Sequence, residues 1–364
     1  MRRAYLTREK EAHGRTVMAV LPIAYPKEIL TAMNILAVEV WGPPGLPASE
    51  EASRIQAYVC PVVRNAMAFL APGVPGIDGV LFPHTCDSIQ GLATVLPDLA
   101  GFPLPVANFV HPKGERRKSN ETYLKQEFAD LAAQLARITG KPLDPEALKG
   151  AIALHREIDR LRTSLMARRA FSPLPDREFW GVLRLGEYLW PEDYLGKLKE
   201  LESGLASQAV QTGVPVMVTG IVPEPMGIYE AINAAGAFVA ACDYAAIGRR
   251  VADPSAGTAP DPFDALVSRY FALPPCPTRT SLMGPRMDYL ERLYAANRCR
   301  GLIVHTVKFC EPELFDLPHI RQRFARINAP VLTMEGELEP VLSGQATTRI
   351  EAFVEMTTSK RSNP

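Results

Sequence analysis

Hydrophobic positions along the chain fall into two alternating regimes. Short apolar runs of strand length, at residues 17–23, 37–41, 79–83 and 105–110, are separated by stretches of helical character. The first helical stretch covers residues 26–33, with a proline in its opening turn, and another follows Cys60 through Met67 and Leu70. From residue 121 to about 204 the pattern is helical throughout. Phe128, Leu131, Leu135 and Ile138 recur at helical spacing. Asp144-Pro145-Glu146 opens a second helix carrying Leu148, Ile152, Leu154, Ile158 and Leu161, and residues 193–205 form a third. Alternation then resumes, with strands predicted at 213–220, 237–241, 301–309 and 330–335 and helices at 229–235, 287–296, 311–327 and 347–356. Residues 1–15 are charged and read as a helical arm or a frayed end. Strands alternating with helices predict an α/β fold built on parallel sheets. The expected architecture is two Rossmann-like, doubly wound modules, 1–120 and 205–364, with the helical segment 121–204 between them.

Composition narrows the function. A chain of 364 residues exceeds one ordinary core, and 47% hydrophobic with 22% charged residues is usual for a soluble globular protein. With 40 basic and 40 acidic residues there is no basic field to attract nucleic acid. No apolar run approaches the roughly 18–20 residues that span a bilayer, so no membrane partner is expected. The first residues lack the apolar core of a signal peptide, which predicts a cytoplasmic protein. In that compartment thiols stay reduced, so the six cysteines point to packing or metal ligation rather than to disulfides. Neither Gly-x-Gly-x-x-Gly nor a Walker loop occurs, so NAD and ATP are not expected on this chain.

Three of the cysteines share a placement. Cys86 follows the run ending at Pro83, where open α/β sheets keep their ligand sites. Cys310 repeats the design at the end of the run that starts at Gly301, and Cys60 precedes a proline suited to the first position of a helix. No Cys-x-x-Cys pair occurs, so local spacing predicts neither a zinc finger nor a ferredoxin. Each cysteine read alone is a small buried hydrophobe, a reading that fits Cys242 and Cys299. Three thiols at element ends could instead converge on one cluster in a cleft between the modules, leaving one iron without a protein thiolate. Softer candidates lie nearby. His84 could donate to a cluster sulfide, act as an acid, or cap the strand end. Glu335, past the last strand, could serve as a base or line the cleft. Lys308 could hold an anionic ligand or be a solvated lysine, Gln345 and Arg349 could orient the last helix or touch a ligand, and Thr219-Gly220 could cradle a phosphate.

These pieces carry a resemblance. Pro26-Lys27-Glu28-Ile29-Leu30, Cys60 with Arg64, Pro83-His84-Thr85-Cys86-Asp87-Ser88-Ile89-Gln90, Lys308-Phe309-Cys310-Glu311-Pro312-Glu313 and the tail from Gly344 to Phe353 span almost the whole chain. In this order they resemble subunits of the 2-hydroxyacyl-CoA dehydratase and benzoyl-CoA reductase family. The resemblance implies an enzyme subunit holding a [4Fe-4S] cluster on Cys60, Cys86 and Cys310. It implies a related α/β subunit in a heterodimer or heterotetramer, an ATP-dependent activator and an acyl-CoA substrate. A low-potential electron passed to the thioester would give a ketyl-type radical anion. That radical then loses a 2-hydroxyl in the dehydratases, whereas electrons enter an aromatic ring in the reductases.

The chain departs from the pattern at two points. Ala246 stands where the branch with a larger, double-cubane cluster carries a further cysteine, and Ala24 stands where substrate-binding subunits offer a hydroxyl. Ala24 therefore favours a second reading, a non-catalytic electron-relay or scaffold subunit whose partner holds the substrate. A third reading is a metal-free, small-molecule-binding α/β protein.

Overall fold

The computed structural model describes residues 2–46, 54–279 and 281–359. Eight strands form two four-stranded sheets. In the first, β1 (Thr16–Val20), β2 (Ile35–Glu39), β3 (Gly79–Pro83) and β4 (Val106–Phe109) run parallel in the order β2-β1-β3-β4. In the second, β5 (Val214–Gly220), β6 (Ala237–Tyr244), β7 (Gly301–Val307) and β8 (Val331–Gly336) are parallel in the order β6-β5-β7-β8. Both sheets thus have the same topology, with the first strand of each flanked by its second and third. That is the point where a doubly wound sheet changes direction and its strand-end loops part to form a crevice. The expected α/β class with two Rossmann-like sheets is what the chain adopts.

The strands form where the sequence lacks alternation because parallel strands are covered on both faces. Every residue of β3 and β7 is buried, whereas the outer strands β4 and β8 mix buried with exposed positions. The strand expected at 37–41 forms two residues earlier. Trp41 leaves the sheet and donates through its indole nitrogen to Glu39 at 3.0 Å, and Gly42 turns with φ 70°.

The chain divides into two compact units. One comprises residues 1–160, 185–196 and 252–273; the other comprises 161–184, 197–251 and 274–364. The first unit packs Met18, Val20, Ile29, Leu81, Phe109 and Phe128 around the first sheet. Its core also takes Ala265 and Leu266 from the helix Pro262–Phe271, which is far along the chain. Two helices absent from the sequence reading are present, and a third falls within the stretch read as helical. Asp87–Ala100 tolerates both Gly91 and Pro97, residues that weaken its local signal. Pro262–Phe271 starts with Asp261 as its cap, accepting from the Asp264 amide at 2.9 Å. Asp176–Arg184 is nine residues long and buries Phe179 and Trp180.

That last helix protects a sheet edge. Strand β6 is an outer strand, yet all of its residues are buried, so its free amides need acceptors. Asp176 supplies one, accepting from the Val239 amide at 2.8 Å. The same carboxylate accepts from Asn233 at 2.7 Å and pairs with the buried guanidinium of Arg169 at 2.8 Å. Asp176→Ala would leave Arg169 charged and unpaired and the Val239 amide without its acceptor. Removing one partner of a buried pair costs about 3–5 kcal/mol. The expected result is a loss of that size in urea denaturation, and a change under about 0.5 kcal/mol would contradict this role for Asp176.

Candidate functional site

Each of the three cysteines caps a helix. Cys60 precedes Pro61–Leu70, Cys86 precedes Asp87–Ala100 and Cys310 precedes Glu311–Arg326. At a helix N-terminus the first backbone N–H groups have no partner within the helix and point outward. Around Cys60 the amides of Val63 and Val62 act on the sulfur; around Cys86 those of Ile89 and Ser88 do so. Burial nevertheless dominates. It pushes the Cys60 thiol up to about 11, with the neighbouring Cys86 adding to the rise, and it raises Cys86 as well. Both sites therefore hold neutral thiols beside donors that favour a thiolate. A bound metal deprotonates such a ligand outright, and N–H donors to sulfur are the usual outer shell of an iron–sulfur centre. At Cys60 and Cys86 the donors fit the cluster that the family resemblance implies.

The structure brings Cys60 and Cys86 together in the first unit and places Cys310 in the second. Among the described residues, no three His, Cys, Asp or Glu side chains form a ready-made metal site. Cys86 and Cys310 are topological counterparts. Each lies three residues past the end of the third strand of its sheet, β3 ending at Pro83 and β7 at Val307.

The Cys86 loop is held at both sides of its crevice. The Thr85 hydroxyl donates to the carbonyl of Pro22, after β1, at 2.8 Å. Lys113, after β4, donates to the carbonyls of His84 and Thr85 at 3.1 and 2.9 Å. The Lys113 charge also favours a Cys86 thiolate. Its place past a strand end was the available signal, and the sequence reading passed over it. His84 lies on this loop with Nε2 at 3.7 Å from Asp87 Oδ1. Gly42 packs on the first turn of the Cys60 helix, where a Cβ would meet the Val62 carbonyl oxygen at 2.7 Å. Lys27 and Glu28 of the quoted N-terminal motif are architectural. Lys27 pairs with Glu39 at 2.9 Å, and Glu28 and Asp159 each pair with Arg269 at 2.7 Å.

The Cys310 turn is anchored by buried charge. Phe309 takes a left-handed backbone with φ 60°, a conformation that strains a non-glycine residue. One turn into the helix, Glu313 accepts from Arg249 at 2.7 Å; further on, Asp316 accepts from Arg286 at 3.2 Å. Both arginines reach Asp243 at the end of β6, Arg249 through its backbone carbonyl at 2.7 Å and Arg286 through its carboxylate at 2.6 Å. Thr219 is wholly buried and its hydroxyl donates to Asp243 at 2.6 Å, so it presents no phosphate cradle. Of the other cysteines, Cys242 and Cys299 are buried thiols raised by burial to about 12, in keeping with packing.

The remaining candidates gather elsewhere in the second unit. Glu335, Lys308, Gln345 and Arg349 line one cavity of 340 Å³ at the carboxyl ends of β7 and β8, together with His305. His305 was not singled out from the sequence, where it sits inside an apolar strand. Lys308 pairs with Glu337 at 3.0 Å, and Arg349 donates to the Thr333 carbonyl at 2.6 Å.

Residues 22–357 match the model of the family described as 2-hydroxyglutaryl-CoA dehydratase, D-component. The chain is 24% identical to lactoyl-CoA dehydratase subunit beta of Anaerotignum propionicum, over 95% of this chain and 93% of that protein. It is 24% identical to (R)-2-hydroxyglutaryl-CoA dehydratase, subunit beta, of Acidaminococcus fermentans, again over 95% and 93%. A subunit of the benzoyl-CoA reductase of Thauera aromatica is 25% identical over 91% of this chain and 90% of its own length. No helix among the described residues is long and apolar enough to cross a membrane.

The state of His305 is open to measurement. Burial lowers it from 6.5 to about 4. Between those values the unfolded chain binds the extra proton and the folded chain does not, so stability rises with pH across that window. Below pH 6.5 this contribution is lost progressively, by about 3 kcal/mol on reaching pH 4. His305→Gln should flatten the dependence of the denaturation midpoint on pH between 4.5 and 6.5. An unchanged slope would show that His305 is not held neutral.

Proposed function

The chain belongs to the 2-hydroxyglutaryl-CoA dehydratase D-component family, and from that premise we propose that it is the iron–sulfur subunit of an ATP-dependent radical acyl-CoA enzyme. The reaction is dehydration of a 2-hydroxyacyl-CoA or reduction of an aromatic acyl-CoA, carried out in the cytoplasm. Cys60, Cys86 and Cys310 ligate one [4Fe-4S] cluster, which supplies a low-potential electron to the CoA thioester. The observation that carries this reading is the placement of the thiols. All three stand at helix N-caps, backbone donors face the sulfurs of Cys60 and Cys86, and Cys86 and Cys310 occupy the same position in two sheets of one topology. Chains with which this one shares about a quarter of its residues are named as subunits of a lactoyl-CoA dehydratase and of a benzoyl-CoA reductase, which supports the acyl-CoA chemistry. A related α/β subunit completes the enzyme, and a separate ATP-hydrolysing activator delivers the electron.

The protein's own contribution at these sites is binding and tuning. Amides of the first helical turns hold the thiolates, Lys113 fixes the Cys86 loop, and the Arg249–Glu313 pair fixes the first turn after Cys310. A second reading, an electron-relay subunit whose partner holds the substrate, is favoured by Ala24. It is buried in the loop after β1 and offers no hydroxyl at the crevice.

The test is anaerobic co-purification with the related subunit, followed by iron and sulfide analysis of variants. Cys60→Ala, Cys86→Ala and Cys310→Ala should each lose most of the iron bound to this chain. Cys242→Ala and Cys299→Ala should keep it. Full iron in all three of the first set would refute the ligand assignment. Turnover of benzoyl-CoA against a 2-hydroxyacyl-CoA, with and without ATP and activator, then separates the two chemistries.

A further inference from the structure

The cavity in the second unit contains a donor that the proposed cysteine chemistry does not use. His305 is 3% exposed, in the middle of a strand, and its Nδ1 lies 3.0 Å from the hydroxyl of Tyr244. The two rings meet edge to face, at 90° and 6.1 Å between centroids. Tyr244 is fully buried, and burial holds its hydroxyl far above its ordinary pKa, so the hydroxyl keeps its proton. Its contact with His305 is the hydroxyl's hydrogen bond among the described residues, so the O–H donates and Nδ1 accepts. The imidazole proton is then on Nε2. That N–H has no partner among the described residues, and His305 lines the cavity. Space beside it is kept by Gly336, where a Cβ would stand 3.6 Å from Nε2.

The rest of the lining says what kind of group fits. Three carboxylates, Glu335, Glu337 and Glu339, face two cations, Lys308 and Arg349. Lys308 is paired with Glu337, and Arg349 is engaged with a backbone carbonyl. The helix Gly344–Ser359 begins at the cavity, and its Ala346 amide already donates to the Ser343 hydroxyl at 3.2 Å. The carboxylates outnumber the cations, and one of the two cations is already ion-paired, so the rim carries an excess of negative charge that disfavours an anion. An uncharged imidazole donor suits an uncharged oxygen acceptor. Pro225, Met334, Val341 and Leu342 supply apolar walls, and 340 Å³ is within the range of small-molecule sites.

We propose that the second unit carries a small-molecule site of its own at the carboxyl ends of β7 and β8, headed by the Nε2–H of His305, for a ligand whose inner end is an amide or another uncharged carbonyl. This site uses none of the cysteines, and its ligand is neutral where it meets the protein. Phosphate-bearing and carboxylate ligands are turned away by the rim.

The experiment uses the full chain labelled with 15N-histidine. Its six histidines give a spectrum in which His305 is assigned by its loss in His305→Gln. At neutral pH the His305 signals should be those of a neutral ring protonated on Nε2. Titration with N-methylbutyramide should move the Nε2 resonance saturably; butyrate and butylammonium at equal concentration should not. Gly336→Ala places a methyl group against Nε2 without disturbing the Tyr244 bond. It should keep the tautomer, which shows the pair still folded, and weaken the amide's effect at least about tenfold, or 1.4 kcal/mol. The proposal is overturned by protonation on Nδ1, by the absence of a saturable shift with the amide, by an equal response to butyrate, or by an amide response that survives in Gly336→Ala.

Discussion

A helix N-terminus is best capped by an oxygen, and at three places this chain offers it a sulfur. Serine, threonine, aspartate and asparagine are the residues that satisfy the first amides, and replacing them typically costs about 1 kcal/mol. Asp261, heading Pro262–Phe271, shows that the chain uses the ordinary solution elsewhere. At Cys60, Cys86 and Cys310 no side-chain cap bond of that kind is made. The thiols of Cys60 and Cys86 are kept neutral by burial, while the amides of the helical turns that follow favour the ionised form. That mismatch is resolved when a cation takes the proton's place.

The remaining architecture holds those sulfurs still. Parallel strands deliver their loops at one end, so Cys86 and Cys310 emerge at matching positions from sheets of matching topology. Each loop is then pinned by a different device. In the first unit it is hydrogen bonding to backbone carbonyls by Thr85 and Lys113. In the second it is a buried lattice in which Arg249 and Arg286 join the end of β6 to the first turns of the Cys310 helix. Buried charges of this kind add little net stability against an apolar alternative, but breaking one is costly. They therefore hold the Cys310 turn in one geometry.

The α/β class and the eight strands were legible because strands buried on both faces appear as short unbroken apolar runs between turn residues. The placement of the three cysteines at element ends was legible for the same reason, through strand ends and Pro61, but the helix that Cys86 caps was not. Long-range partnership was not legible. Nothing near Arg249 says that it meets Glu313, and nothing in residues 252–273 says that they complete the first unit. His305 was hidden by the pattern that revealed its strand. A histidine inside an apolar run reads as a packed residue until its bond to Tyr244 and the cavity beside Gly336 are seen. Thr219-Gly220 misled in the opposite sense, because a hydroxyl at a strand end looks available until its partner Asp243 is known.

If three thiolates of this chain hold a single cubane, one of its irons lacks a cysteine ligand. Mössbauer spectroscopy of the anaerobically isolated, 57Fe-enriched enzyme tests this directly, with the related subunit left unenriched and recombined afterwards. The expected spectrum shows iron in the four-iron cluster form on this chain, with one site in four distinct from the other three. Four equivalent sites, a two-iron spectrum, or no cluster iron on this chain would contradict it.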